Sequence, residues 1–247
     1  MAKALFAIVN ARHRQDWRDI IRRTWLPLVP KDRADAFFFV GQGSPISDSE
    51  SVVELQCSDA YKDLPSKVQN ICRWALQNGY DHVLKIDDDV VIRPTLFLDS
   101  GFQNYDFSGQ ENRPGKPAVT YGFCYTLSRK SMEAVSRAGL PHDFDDEKWV
   151  AQVLYRADIP LTNVSGYSLH QHMNDHAIIQ IARCVHLDAN HNQGQKLHEF
   201  ERIFNSPVWT GELPAPVTHP LPARGPVRRY DSTGLKLDWW DSHKRPP

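Results

Sequence analysis

Hydrophobic and polar positions follow two periods along the chain, and the switches between them mark the elements. The stretch "ALFAIVN", residues 4 to 10, is almost wholly apolar and predicts a strand buried on both faces. "DWRDIIRRTW" changes to helical spacing: Trp17, Ile20, Ile21 and Trp25 recur on one side, and Pro27 stops the run. "DAFFFVG" predicts a second strand closed by "GQGSP", and "SVVELQ" a third. "LPSKVQNICRWALQNGY" predicts a helix with Val68, Ile71, Cys72 and Leu76 on one face, ended by Asn78 and Gly79. The strand "HVLKI" then runs directly into Asp87, Asp88 and Asp89, and a second apolar run, Val90 to Ile92, follows. Farther on, "AVTYGFCYTLS" reads as a strand pair and "RKSMEAVSRAG" as a short helix ending at Gly139. "DDEKWVAQVLYRADI" reads as an amphipathic helix opening with three acids, which the helix dipole favours.

This alternation predicts an α/β fold, with a mostly parallel central sheet flanked by helices on both faces. In such sheets ligands bind beyond the carboxyl ends of the strands, the edge at which the three aspartates stand. From about Asn205 the composition shifts to "SPVWTGELPAPVTHPLPARGP", too rich in proline for regular packing. The expected organisation is one domain over 1–204 and an extension over 205–247 that wraps the domain or binds a partner. Trp239 and Trp240 in that extension could dock on the body, on another chain or on a base. No internal repeat is evident.

Composition changes this picture little. With 247 residues, 41% hydrophobic and 24% charged, the chain resembles an ordinary globular protein able to bury a core. A net charge of −1 gives no global bias toward nucleic acid or membranes. The apolar run at the start is too short to span a membrane and no small-residue cleavage site follows it. Four cysteines, Cys57, Cys72, Cys124 and Cys184, form no C-x-x-C pair, which argues against structural zinc. Reduced thiols in a soluble, cytoplasmic protein are the expectation.

Clustered carboxylates at a strand end repel one another unless a cation lies among them. Hard divalent cations such as Mn²⁺ or Mg²⁺ take oxygen ligands and would relieve that repulsion. In an extended segment Asp87 and Asp89 share a side while Asp88 faces away. An Asp-x-Asp of this kind can hold a metal that bridges a diphosphate, with the metal as Lewis acid toward the departing phosphate. The second acidic group, Asp145, Asp146 and Glu147, is either a helix N-terminal cap or the source of a general base. Histidines cluster late in the chain at His170, His172, His176, His186, His191 and His198. Of these His186 ends a plausible strand, "ARCVH", and could complete a metal shell.

In this order the motifs resemble the β-1,3-galactosyltransferase, β-1,3-N-acetylglucosaminyltransferase and Fringe family of glycosyltransferases. The likeness is carried by "DIIRRTWLPL" (Ile21, Arg22, Thr24, Trp25), "DAYKDLPSK" (Asp59, Tyr61, Leu64, Lys67), "HVLKIDDDVVI", "YGFCYTLS", "DEKWVAQVLYRADI" and "CVHLD". It implies a GT-A-like fold and an inverting, metal-dependent transfer from a UDP-sugar to an acceptor hydroxyl. By resemblance Asp89 and His186 ligate Mn²⁺ or Mg²⁺, with Asp87 in the metal shell or near the ribose and Asp88 beside it. Arg22, Asp59 and Lys67 would line the nucleotide pocket, and Asp146 or Glu147 would be the base. The chain departs from the family's pattern in several places, among them Pro65, which enters the segment after Asp63. Its acid pair runs Asp-Glu instead of Glu-Asp, Cys124 replaces a glycine, and Asp63 replaces an asparagine. The membrane anchor and stem of Golgi members have no counterpart, implying a soluble microbial or phage-type relative.

The expected acceptor is a glycan or, in a phage-type enzyme, a hydroxymethylated DNA base. The basic stretches "ARHRQDWRDIIRR" and "ARGPVRRY" would suit a phosphate backbone. Two other classes compete: a non-catalytic sugar-nucleotide or glycan-binding module, and a metal-dependent phosphohydrolase. Intact acids in both clusters disfavour the first, and the arginine-tryptophan helix is unexplained by the second.

Overall fold

The computed structural model describes residues 3–46, 48–140, 145–164, 167–169 (backbone), 184–187, 192–206 and 209. Apart from 205, 206 and 209, the C-terminal extension with Trp239 and Trp240 lies outside these residues, as do His170, His172, His176 and His191.

Strand β1 (Ala4–Val9) lies at the centre of the molecule with every residue buried. It pairs in parallel with β2 (Ala34–Val40) on one side and with β4 (His82–Asp87) on the other. β3 (Val52–Glu54) extends the sheet beyond β2. Beyond β4 run β7 (Val119–Ser128), β6 (Phe107–Arg113) and β8 (Thr162–Asn163), giving the order β3-β2-β1-β4-β7-β6-β8. Only β7 opposes its neighbours, so the seven-stranded sheet is mostly parallel. A second sheet joins β5 (Val90–Ile92), β10 (Cys184–His186) and β9 (Tyr167–Leu169).

The continuous apolar runs arise because the central strands are covered on both faces. Phe6 and Ile8 of β1 pack with Trp17, Ile20 and Ile21 of helix α1 (Gln15–Arg23) and with Phe200 and Ile203 of the late helix Gln193–Phe204. Leu5 and Ala7 point the other way, toward Val68, Ile71 and Cys72 of α2 (Leu64–Gln77). That layer also holds Met132 of α4 (Arg129–Arg137) and Trp149, Val150 and Leu154 of α5 (Asp146–Arg156). Each large side chain so buried contributes about 1.5–3 kcal/mol. A short helix α3 (Pro94–Leu98) follows β5, and the late helix 193–204 is α6.

Two expectations change. The segment "AVTYGFCYTLS" is one ten-residue strand, not a pair. Its partner is β6, "FSGQENR", whose first half is buried and second half mostly half-buried, so it shows no single period. The helix before Pro27 ends at Arg23, and Pro27 sits in a separate 3₁₀ turn, Leu26–Leu28. All four cysteines are free, three of them buried. No helix among the described residues is long and apolar enough to cross a membrane.

The ligand edge depends on one close backbone approach. At the end of β2, Gly41 donates its N–H to Asp59 Oδ1 at 2.6 Å and accepts from Arg12 Nε at 2.6 Å. A Cβ at this position would lie 2.6 Å from the Ser58 carbonyl carbon and 2.7 Å from the Cys57 oxygen. Gly41→Ala is therefore expected to destabilise the fold by about 1–3 kcal/mol through overpacking against rigid backbone. The check is a urea unfolding curve; an unchanged midpoint would contradict this tight junction.

Candidate active site

The parallel register ends β1, β2 and β4 together: Val9 lies opposite Phe39 and Asp87. Around that edge the loops are held by buried charge. Asp59 accepts from Lys67 Nζ at 2.5 Å, from the Arg12 N–H at 2.7 Å and from the Gly41 N–H. Lys67 also donates to the Asn10 carbonyl at 2.7 Å. Burial alone would raise the Asp59 carboxyl, but Lys67 and the two backbone donors outweigh it and hold it below the usual range. One ion pair thus ties the loops after β1 and β2 to α2.

Arg22 stands on α1 beside Arg18, and both grip Asp48. Arg18 Nε lies 2.7 Å and Arg22 Nη1 2.8 Å from Asp48 Oδ2. Arg22 also donates to the carbonyls of Asp48 (3.0 Å) and Glu50 (2.5 Å). Fully buried Arg18 reaches back to Asn10 and Ala11, so this helix braces the loops beside the edge.

The three aspartates face three different sets of partners. β4 stops at Asp87, and Asp88 and Asp89 form a turn before β5, so the extended alternation that would place Asp87 and Asp89 on one side ends there. Asp88 is buried against Asn10 Nδ2 (2.7 Å) and Arg14 Nη2 (2.9 Å). Burial pushes it up to about 7 despite the pull of Arg14.

Asp87 points to Lys85, which lies in the middle of β4 with 2% of its side chain exposed. The Lys85 ammonium donates to Asp87 Oδ1 at 2.6 Å and to the Gly122 carbonyl at 2.6 Å, and stands 3.6 Å from Asp146 Oδ2. Burial disfavours its charge, but Asp146 and Asp87 outweigh that and hold it well above the ordinary lysine range. Asp146 is buried at the start of α5 and accepts from the buried Tyr125 hydroxyl at 3.0 Å. Burial raises the Asp146 carboxyl, and Lys85 only partly offsets this.

Glu147 is the half-buried member of the pair. Burial, a hydrogen bond with Asp145 and the Asp146 charge push it up to about 8. Its carboxylate lies against Gly122, where an added Cβ would come within 2.8 Å of Oε2. Asp145, at the N-cap position, makes no side-chain cap bond, so capping does not account for this acid.

Asp89 meets His186. Antiparallel pairing sets His186 opposite Val90, and the Leu187 N–H donates to the Asp89 carbonyl at 3.1 Å. His186 Nε2 comes to 3.3 Å from Asp89 Oδ1, and Lys196 of α6 to 3.1 Å from Oδ2. The imidazole stacks on Phe123, centroids 4.9 Å apart and planes at 12°. Burial opposes both charges, yet the pairing lowers Asp89 and raises His186. A carboxylate oxygen and an imidazole nitrogen converging in this way could together hold a divalent cation once the imidazole has given up its proton. Asp87 is turned to Lys85, and among the described residues no group of three or more such side chains is assembled into a cage. His198 belongs to α6.

Sequence reasoning missed Lys85, Tyr125, Gly122, Asn10, Arg14, Arg18 and Lys196. Lys85 carried a signal: a charged residue inside an apolar strand, two positions before Asp87 and on its side. The others are brought in by tertiary contacts alone.

Comparison with known proteins bears on the fold. The profile of a family described as Galactosyltransferase matches residues 16–113, a stretch containing Arg22, Asp59, Lys67 and Asp87 to Asp89. Asp146, Glu147 and His186 lie beyond it. The solved structure of a glycosyltransferase "involved in the glycosylation of the major capsid of PBCV-1" superposes with a TM-score of 0.55 at 12% identity, covering 82% of this chain and 100% of that one. The chain therefore shares the GT-A-like fold of that protein. Curated protein sequences give no match.

Two outcomes follow from the charges. Lys85→Met leaves buried Asp146 and half-buried Asp87 without their ammonium and is expected to cost about 3–5 kcal/mol in chemical denaturation; a loss within 0.5 kcal/mol would contradict the bridge. Glu147 holds its proton to about 8 when folded, against 4.5 ordinarily, so its ionisation removes stability as pH rises through that window. Glu147→Gln should accordingly gain at least about 2 °C in melting temperature over wild type at pH 8.5 and lose that advantage at pH 4.5. An advantage independent of pH would show that the Glu147 carboxyl is not perturbed.

Proposed function

We propose that the chain is an inverting, metal-dependent glycosyltransferase that moves a sugar from a UDP-sugar to an acceptor hydroxyl. The observation that carries this reading is the convergence at one sheet edge of two acidic groups far apart in sequence. Lys85 joins Asp87 to Asp146, which places the metal-type turn and the N-terminus of α5 beside each other.

The nucleotide would lie over the ends of β1 and β2, in walls built by the Asp59–Lys67 pair and the Arg18–Asp48–Arg22 brace. A divalent cation held by Asp89 and His186 would supply the charge that stabilises the departing diphosphate. Glu147 is the base in this reading. Asp146 is spent on Tyr125 and Lys85 inside the protein, whereas Glu147 is half-exposed and its raised affinity for a proton suits it to deprotonate an alcohol. The acceptor oxygen gives its proton to Glu147 and attacks the anomeric carbon as the bond from that carbon to the diphosphate oxygen breaks. The single displacement inverts the anomeric centre, and UDP leaves with the bonding pair.

The same acids weigh against a non-catalytic module, because a binding site needs no carboxyl raised beside it. A screen of UDP-sugars against glycans and hydroxymethylated DNA, reading UDP release with and without Mn²⁺, tests the reading. Transfer by wild type should fall at least about 100-fold in Asp89→Ala and in Glu147→Ala, the range expected for losing a charge-stabilising group or a general base. Mn²⁺-dependent turnover that survives Asp89→Ala would contradict the metal assignment. Full activity in Glu147→Ala would contradict the base.

A further inference from the structure

The late helix α6 places a cation on the carboxylate proposed to bind metal. Lys196 lies in its first turn, and its Nζ is 3.1 Å from Asp89 Oδ2 while His186 Nε2 takes Oδ1 at 3.3 Å. Both oxygens of Asp89 are thereby engaged from outside its own turn. The ammonium is not a loose surface group, since 15% of the Lys196 side chain and 14% of that of Asp89 are exposed.

The helix is also fixed in place. Asn192 and Gln195 form a reciprocal capping box at its start, and the Lys196 N–H continues the turn to the Asn192 carbonyl at 2.9 Å. Farther along, Phe200 is fully buried and packs edge-on against Trp17 of α1, centroids 6.2 Å apart. The anchored helix keeps the ammonium beside Asp89.

Resting on the metal reading above, we propose that Lys196 is the resident counter-cation of Asp89 and competes with the divalent ion for that carboxylate. Two consequences follow from elementary electrostatics. The ammonium offsets part of the negative charge of the acidic turn when no dication is there. When a dication binds it meets a positive charge held within a few ångströms, and a screened repulsion of that size weakens binding by at least about tenfold. The position of α6 thereby sets how tightly the site holds its metal.

The test is direct Mn²⁺ binding to the full chain, followed by the electron paramagnetic resonance of free Mn²⁺, so that it does not depend on donor or acceptor. Lys196→Gln, and Lys196→Met with its similar apolar stem, should both bind Mn²⁺ at least about tenfold more tightly than wild type. Lys196→Arg, which keeps the charge, should bind within about threefold of wild type. Asp89→Asn should weaken binding in the wild-type and Lys196→Gln backgrounds alike. Thermal melts of each variant separate a loss of α6 from a change of affinity. If Gln and Met variants that melt like wild type bind Mn²⁺ no more tightly, with Asp89→Asn still deleterious, the competition is wrong and the metal site stands. If Asp89→Asn has no effect in either background, the metal assignment itself falls.

Discussion

A buried ammonium holds the two halves of the candidate site together. Lys85 sits inside the central strand β4, where a charge without partners would be expelled or neutralised. It is retained because Asp87, the Gly122 carbonyl and Asp146 surround it. These three come from the end of β4, from β7 and from the start of α5. The carboxylates in turn depend on Lys85, since among the described residues buried Asp146 otherwise accepts from Tyr125 alone. Placement of the acidic turn and orientation of α5 are thus one electrostatic problem with one solution.

The division of labour among the acids follows from their surroundings. Asp88 turns inward to Asn10 and Arg14 and fastens the turn to the loop after β1. Asp87 faces Lys85, and Asp89 faces His186 and Lys196. Of the later pair, Asp146 is committed to internal bonds while Glu147 lies half-exposed beside Gly122, whose missing side chain makes room for its carboxylate. Neighbouring residues of one chemical type therefore do different work because burial and partners differ.

Much of the fold was legible because its strands are covered on both faces. Runs such as "ALFAIV" and "AFFFV" have no polar period to confuse, and the helices between them show clean stripes. Strand β6 was invisible because its first three residues are buried and the polar rest is mostly half-buried, with no two-residue period. The acids and His186 could be singled out in sequence, since clustered aspartates and a histidine at a strand end are unusual. Their mutual orientation could not. The turn at Asp88 and Asp89 breaks the two-residue alternation, and Lys196 reaches Asp89 from 107 positions away. Arg22 was legible as a motif residue, but its grip on Asp48 and Glu50 depends on where the loop after β2 returns.

In the proposed reading a metal-bound donor diphosphate lies at the Asp89–His186 corner. The most direct measurement is anomalous diffraction from crystals grown with Mn²⁺ and UDP. The account predicts one strong manganese peak in contact with both Asp89 and His186 and with the UDP phosphates. A peak that touches neither residue, or UDP bound elsewhere with Lys196 still on Asp89, would contradict it.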